Sequence, residues 1–362
     1  MVFRVGISRG WKGSCPTYIQ SLSDMANHCN GTSSRKLKKQ KCYENQSKIG
    51  VETVKRVQFN RYGGPEVMSF GEYALSELAP NRVRVRVKTA ALNPLDWKLR
   101  QGVMKFVTGR KFPQGMGSDF AGVVESVGSQ VTDFEVGDEV FGTVEIKRQG
   151  AFAELVDADA SLLVHKPTAI SFSEAACIPI PAATAWAAVI DAANAREGAH
   201  IFINGCSGAV GSFAVQLALA YGACVSGSCG TSSAQSVQAA GVNPVFAYED
   251  KTAMAANGPY DAVFDTLGSL PVTDGLAMLK KRGRFIDINP TLGRILRGFV
   301  SGRYKMVFAT SGFKSLQNIA DVAMDGKLHS SIALEVPFSE ALNVIKDAEL
   351  GKRPPGRVVL VM

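Results

Sequence analysis

The stretch HIFINGCSGAVGSFAVQLALAYG, residues 200–222, constrains the fold more than any other. A short apolar run ends at Asn204, glycines follow at 205, 208 and 211, and an apolar-faced helix then runs to Gly222. That helix is expected to bury Val210, Phe213, Ala214, Leu217 and Tyr221 on one face. A buried strand entering a helix through small residues is half of a strand–helix–strand unit. Such units build parallel sheets with right-handed crossovers. The alternation continues with ACVSGS as strand, SSAQSVQAAG as helix, and AVFDTLG (262–268) and RFIDIN (284–289) as strands. This half of the chain is therefore expected to be α/β, a doubly wound parallel sheet.

The glycine loop has two readings, a small-residue packing turn or a cradle for a dinucleotide pyrophosphate. A strand before it and a helix after it are the context the second requires, because the helix N-terminus then presents free N–H groups to an anion. Gly205, Ser207, Gly208, Ala209, Val210 and Gly211 are the expected cradle, with Gly205 for the tight exit, Gly208 for close approach and Gly211 for helix–strand packing. An NAD site places an acid about 20 residues further on, for the ribose hydroxyls. Here Ser226, Gly227 and Ser228 stand instead, and no acid occurs between Gly211 and Glu249. Its absence favours NADP. No Lys or Arg occurs in that interval either. Ser226, Ser228, Thr231 and Ser232 are the expected hydroxyl contacts, with Arg294 or Lys305 as cations that could fold in.

Upstream the pattern changes. RVRVRVKTAAL (82–92) alternates strictly, and GMGSDFAGVVESVG, VGDEVFG and GAFAELVDADASLLVHKP are short strands separated by turns. They predict a β-barrel-like body. SFSEAACIPIPAATAWAAVIDAA, from Ser171, is helical, with Ser171 or Ser173 as cap and Pro179 and Pro181 breaking the run. FKSLQNIADVAMDGKL and FSEALNVIKDAELGK are helices before a last strand, GRVVLVM.

Charge separates the first fifty residues from the rest. They hold nine Lys and Arg against Asp24 and Glu44, a net +7, so the other 312 residues carry +1 of the chain's +8. A near-neutral body argues against nucleic acid as the main partner. The basic segment is an organelle transit peptide, a disordered tail, or the product of a misread upstream start. No run of about 18 uncharged apolar residues occurs, so no membrane span is expected. Seven scattered cysteines form no framework and indicate reduced thiols inside a cell. The expected location is the cytoplasm, or a mitochondrion or plastid if residues 1–50 are a transit peptide.

YGGPEV (62–67), ALNPLDWKLRQG (91–102), GSDFAGVV (117–124), VGDEVFG, GAFAE, PAATAW (181–186), NGCSGAVGSFAVQLA, YDAVFDTLG and GRVVL occur here in one order and spacing. Together they resemble the zinc-free medium-chain dehydrogenase/reductases, on the quinone oxidoreductase and enone reductase branch. The resemblance covers about residues 56–362. It implies a GroES-like catalytic domain from residues 51–173 plus 311–362, a Rossmann NADP-binding domain at 174–310, and a homodimer. It further implies hydride transfer from NADPH to a small-molecule quinone or the activated double bond of an enone. Zinc-dependent relatives have Cys where Asn93 stands and His-Glu where Ser118-Asp119 stands, and the four-cysteine lobe is missing, so no metal is expected.

On the same resemblance Asn93 sits beside the nicotinamide as a donor to the developing enolate, although an Asn-Pro turn start explains it equally. Tyr62 is a second donor or a packed turn aromatic, and Trp97 lines or supports the pocket. Thr184, Thr266, Leu267, Gly268, Asn289 and Arg357 are expected to contact the cofactor. Lys98 and Asp96 are expected to pair at the surface. Two other functions stay open: a non-catalytic NADPH-binding redox sensor or structural protein, and a trans-acting enoyl reductase. The last needs a basic patch for an acidic carrier protein, and Lys105, Arg110 and Lys111 are the cluster available.

Overall fold

Val83, Val85 and Val87, the apolar members of RVRVRV, are all buried in β3 (Arg82–Ala91), while Arg84 and Arg86 reach Asp157 and Glu125 on neighbouring strands. The strict alternation thus becomes the middle of a sheet with one wet face. The structure, a computed structural model, describes residues 53–299, 301–352 and 354–362. The basic segment 1–50, with the transit-peptide expectation placed on it, lies outside the described residues.

β3 pairs with β5 (Asp119–Val127), β7 (Leu155–Asp159) and β16 (Arg357–Val361), all antiparallel. The seven-stranded sheet continues through β6 (Glu139–Thr143) to β8 (Leu163–His165) on one side. On the other, β15 (Ile332–Pro337) lies beside β16. A small sheet of β1 (Thr53–Phe59), β2 (Met68–Ala74) and β4 (Gln114–Gly115) packs on it. Val57, Phe59, Phe120 and Phe152 fill the core between them.

The second large sheet is wholly parallel. Its order is β11 (Val245–Ala247), β10 (Cys224–Cys229), β9 (His200–Asn204), β12 (Tyr260–Asp265), β13 (Leu279–Asp287) and β14 (Tyr304–Met306). That is the doubly wound order 3-2-1-4-5-6, with its switch point between β9 and β12. The sequence left β11, β14 and β15 unassigned; they are short edge strands or carry no clean period 2.

Three helices matter for the site: α1 (Pro94–Arg100), α2 (Pro179–Trp186) and α3 (Ala209–Ala220). Ser171 caps the helix before α2, exchanging hydrogen bonds with Glu174. Pro179 opens α2 rather than breaking it, because a residue in the first turn needs no N–H partner. On α3, Phe213, Ala214 and Leu217 are buried as expected, but Tyr221 is exposed and packs edge-on to Trp186. Thr53–Met362 forms one compact unit. Among the described residues, no helix is long and apolar enough to cross a membrane.

Candidate active site

The glycine loop leaves β9 and enters α3 at the switch point. Gly205 has φ +84°, and a Cβ there would lie 2.4 Å from Thr266 Oγ1. At Gly211 a Cβ would lie 2.1 Å from the Gly205 carbonyl oxygen, so α3 starts against the turn itself. Gly208 differs: the nearest atom to a Cβ there is that same oxygen at 3.4 Å, and the space beside it is open. Ser207 and Gly208 are exposed, with Ala209 and Val210 half-buried behind them. An open glycine at the head of a twelve-residue helix fits a phosphate.

The ends of β9, β12 and β13 converge here. Thr266 Oγ1 donates to the Asn204 carbonyl at 2.7 Å, and Asn289 Nδ2 donates to the Thr266 carbonyl at 2.9 Å. Asp265 accepts the N–H groups of Leu267, Gly268 and Leu270, which fixes the loop beside Gly205. Gly205, Thr266, Leu267, Gly268 and Asn289 therefore form one edge. Tyr248, which the sequence did not single out, brings its phenol to Ser207, and burial raises its pKa.

Expectations for five residues change. Ser226 and Ser228 are both fully buried, and their hydroxyls bond the Asn243 carbonyl and Asn204 Oδ1. In a strand, residues i and i+2 share a face, and this face turns into the protein. Thr231 and Ser232, beyond the strand, are exposed and remain available. Arg294 is fully engaged: it bridges the buried Asp265 and Asp287 and donates to the Gly268 and Leu270 carbonyls. Lys305 lies on β14, four strands from β10, roughly 19 Å away at the usual strand spacing. Thr184 Oγ1 donates to the Ile180 carbonyl one turn back, at 2.7 Å.

A second, buried polar cluster is centred on Asn93, the N-cap of α1. Its backbone N–H donates to Asp96 Oδ2 at 2.8 Å. Its Nδ2 donates to Asp119 Oδ2 at 2.9 Å, and its Oδ1 accepts from Arg357 Nη2 at 2.9 Å. Ser118 Oγ donates to Asp96 Oδ1 at 2.7 Å, and Gln149 Nε2 donates to Ser118 Oγ at 3.1 Å. The Ile180 N–H, at the head of α2, donates to Asp119 Oδ2 at 3.0 Å. Burial drives the carboxyls of Asp96 and Asp119 up from 3.8 to about 7, against the pull of these donors and Arg357.

Asp96 therefore does not pair with Lys98 at the surface. The signal was present: Asn-Pro-Leu-Asp is an N-cap followed by an acid at the third helical position, which turns the carboxylate back onto the cap. The amide of Asn93 is a hub between Asp119 and Arg357 rather than an open donor. Tyr62 is likewise engaged, its hydroxyl bonding Thr108 Oγ1 at 2.6 Å and the Gly109 carbonyl, its ring packed edge-on to Phe112. Trp97 is half-buried against the barrel core.

Three buried polar atoms in this cluster have no hydrogen-bond partner: Asp119 Oδ1 and Nε and Nη1 of Arg357. The neighbouring Gly356 lines a groove of about 920 Å³ together with Cys206 and Ser207 of the cradle. The remaining donors of this buried guanidinium lie beside the buried Cys177 thiol, inside the protein. The cluster does not fit a catalytic zinc. An amide, a hydroxyl and two carboxyls bonded to one another replace thiolate and imidazole, and among the described residues no three His, Cys, Asp or Glu are grouped to hold a metal.

Residues 79–168 match the alcohol dehydrogenase GroES-like domain, and residues 240–360 match the zinc-binding dehydrogenase family. A chloroplastic quinone-oxidoreductase homolog of Spinacia oleracea is 32% identical over 252 residues, 67% of this chain and 77% of that protein. The mitochondrial NAD(P)H oxidoreductase RTN4IP1 of Bos taurus is 28% identical, covering 81% and 85%. The quinone oxidoreductase of Coxiella burnetii superposes with a TM-score of 0.78 at 27% identity, covering 86% of this chain and all of that one. The chain belongs to the medium-chain dehydrogenase/reductases, on the branch of the quinone oxidoreductase homologues. It pairs a GroES-like β-body with a Rossmann-type parallel sheet.

Proposed function

We propose that this protein is an NADPH-dependent, zinc-independent oxidoreductase that reduces a quinone or the activated double bond of an enone. The observation that carries the reading is the open Gly208 at the head of α3, facing a strand end without an acid. The cradle 205–211 holds the pyrophosphate, Thr231 and Ser232 take the ribose phosphate, Thr266–Gly268 with Asn289 border the ribose and nicotinamide, and Arg357 acts through Asn93 rather than on the pyrophosphate. When bound, the nicotinamide supplies the hydride. A relative's name, NAD(P)H oxidoreductase, supports the cofactor class.

The chain's own residues supply position and a proton. Asn93 holds Asp119 and Arg357 in place. Asp119, with its carboxyl pushed to about 7, is divided between acid and carboxylate at neutral pH, and in this reading its acid form supplies the proton from Oδ1, which has no partner within the protein. In this reading the GroES-like body is 51–173 plus 311–362, the nucleotide domain is 174–310, and the working unit is a homodimer.

The test is purified protein assayed with NADPH and with NADH against a quinone and a small panel of enones. Saturable NADPH binding with NADPH oxidation by at least one acceptor is the expected result. Binding without turnover on any acceptor would sink the enzyme reading, leaving a sensor or structural role, and a preference for NADH would overturn the reading of the β10 end.

A further inference from the structure

Beyond α1 the chain forms an exposed tip between Gly102 and Phe112, built on the short helix Lys105–Thr108. Phe106 is 92% exposed and Val103 66%, with Val107 beside them also exposed. Lys105 Nζ stands 5.8 Å from the Phe106 ring. No acid occurs between Asp96 and Asp119. The tip packs beside the turn Ile146–Arg148, so Arg110 and Lys111 line one recess with Lys147 and Arg148, which the sequence holds some 35 residues apart. All four cations are exposed, and no ion pair with a carboxylate is seen for them among the described residues.

We propose that this tip docks on an anionic lipid surface, with Phe106 and Val103 entering the headgroup boundary and Arg110, Lys111, Lys147 and Arg148 meeting lipid phosphates. Charge complementarity selects the occupant. The recess also holds Glu77 and Asp157, the latter paired with Arg84, so the four cations are in excess there, and exposed apolar side chains on the same tip are what an anionic interface rewards twice, through apolar burial and through its negative potential. An acidic carrier protein would use the cations and leave Phe106 in water. The recess also lies next to the candidate site: Thr108 bonds Tyr62, and Gln149, in the recess wall, bonds Ser118. Docking here does not depend on the redox reading and is tested without turnover.

The experiment is co-sedimentation of the full chain with vesicles of phosphatidylcholine alone or mixed with phosphatidylglycerol, at low and high salt. Binding to the anionic vesicles, weakened by salt, is expected. Val103→Ser/Phe106→Ser and Arg110→Ser/Lys111→Ser should each lower the partition coefficient about tenfold. A tryptophan at Phe106→Trp should shift to the blue with anionic vesicles. Equal partitioning of all variants would assign the binding to the basic residues 1–50 and overturn the proposal. So would absence of vesicle binding, or capture of a soluble acyl carrier protein through the same cations with no change at Phe106→Trp.

Discussion

Asp96 and Asp119 ionise near pH 7 in the folded protein and near 3.8 as free side chains. Between those values the folded protein holds protons that the unfolded chain has released, so stability falls as pH rises from about 4 to about 7. Asp119→Asn removes one such group while keeping an oxygen for Asn93 and the Ile180 N–H. The decline of melting temperature across that window should become shallower in the variant, and an unchanged slope would refute the buried-acid assignment. If Asp119 donates the proton, wild-type kcat falls as pH rises through about 7, and the variant loses this limb along with much of its kcat. At this scale the sequence was informative about residue types and poor on burial. Asn93 and Asp119 stood in recognisable motifs, but whether Asp96 faced water or Ser118 depended on β5, a separate stretch of chain.

The loop between β9 and α3 separates folding from binding within a few residues. Gly211→Val places a side chain against the Gly205 carbonyl oxygen and should cost about 3 kcal/mol or more, read as a lower urea midpoint. Gly208→Val meets open space at an ordinary φ of −72° and should leave the midpoint nearly unchanged. It should nevertheless weaken NADPH binding at least about tenfold, by filling the phosphate's place. Equal loss of binding and stability at both positions would make the loop a packing turn after all. The strand–loop–helix turn was legible because strand, glycine spacing and helix are local to one stretch. The serines of β10 were misplaced because alternation was not applied to them: Ser226 and Ser228 must share a face, and the fold turned it inward.

The molecule is tied together across long sequence separations. Arg100 of α1 is wholly buried and donates to Glu349, whose other oxygen accepts from Gln101. Glu349→Ala leaves that guanidinium without its counter-charge and should cost about 3 kcal/mol. Equilibrium denaturation measures it, and a loss below about 1 kcal/mol would show the pair to be incidental. The two-sheet architecture could be inferred from the change of periodicity near Ser171. The place of GRVVL beside β3 could not, because strand pairing over such distances leaves no local trace and rested on resemblance alone.

That placement has a consequence for how the protein is made. β3 and β5 emerge from the ribosome early, but their sheet lacks β16, which follows β5 by 230 residues. At usual rates of synthesis the wait is about ten seconds or longer, during which the parallel sheet between them can form by itself. β16 also brings Arg357 to Asn93. The glycine loop, within the parallel sheet, can thus form before the Asn93 cluster, which is completed by one of the last strands to be translated.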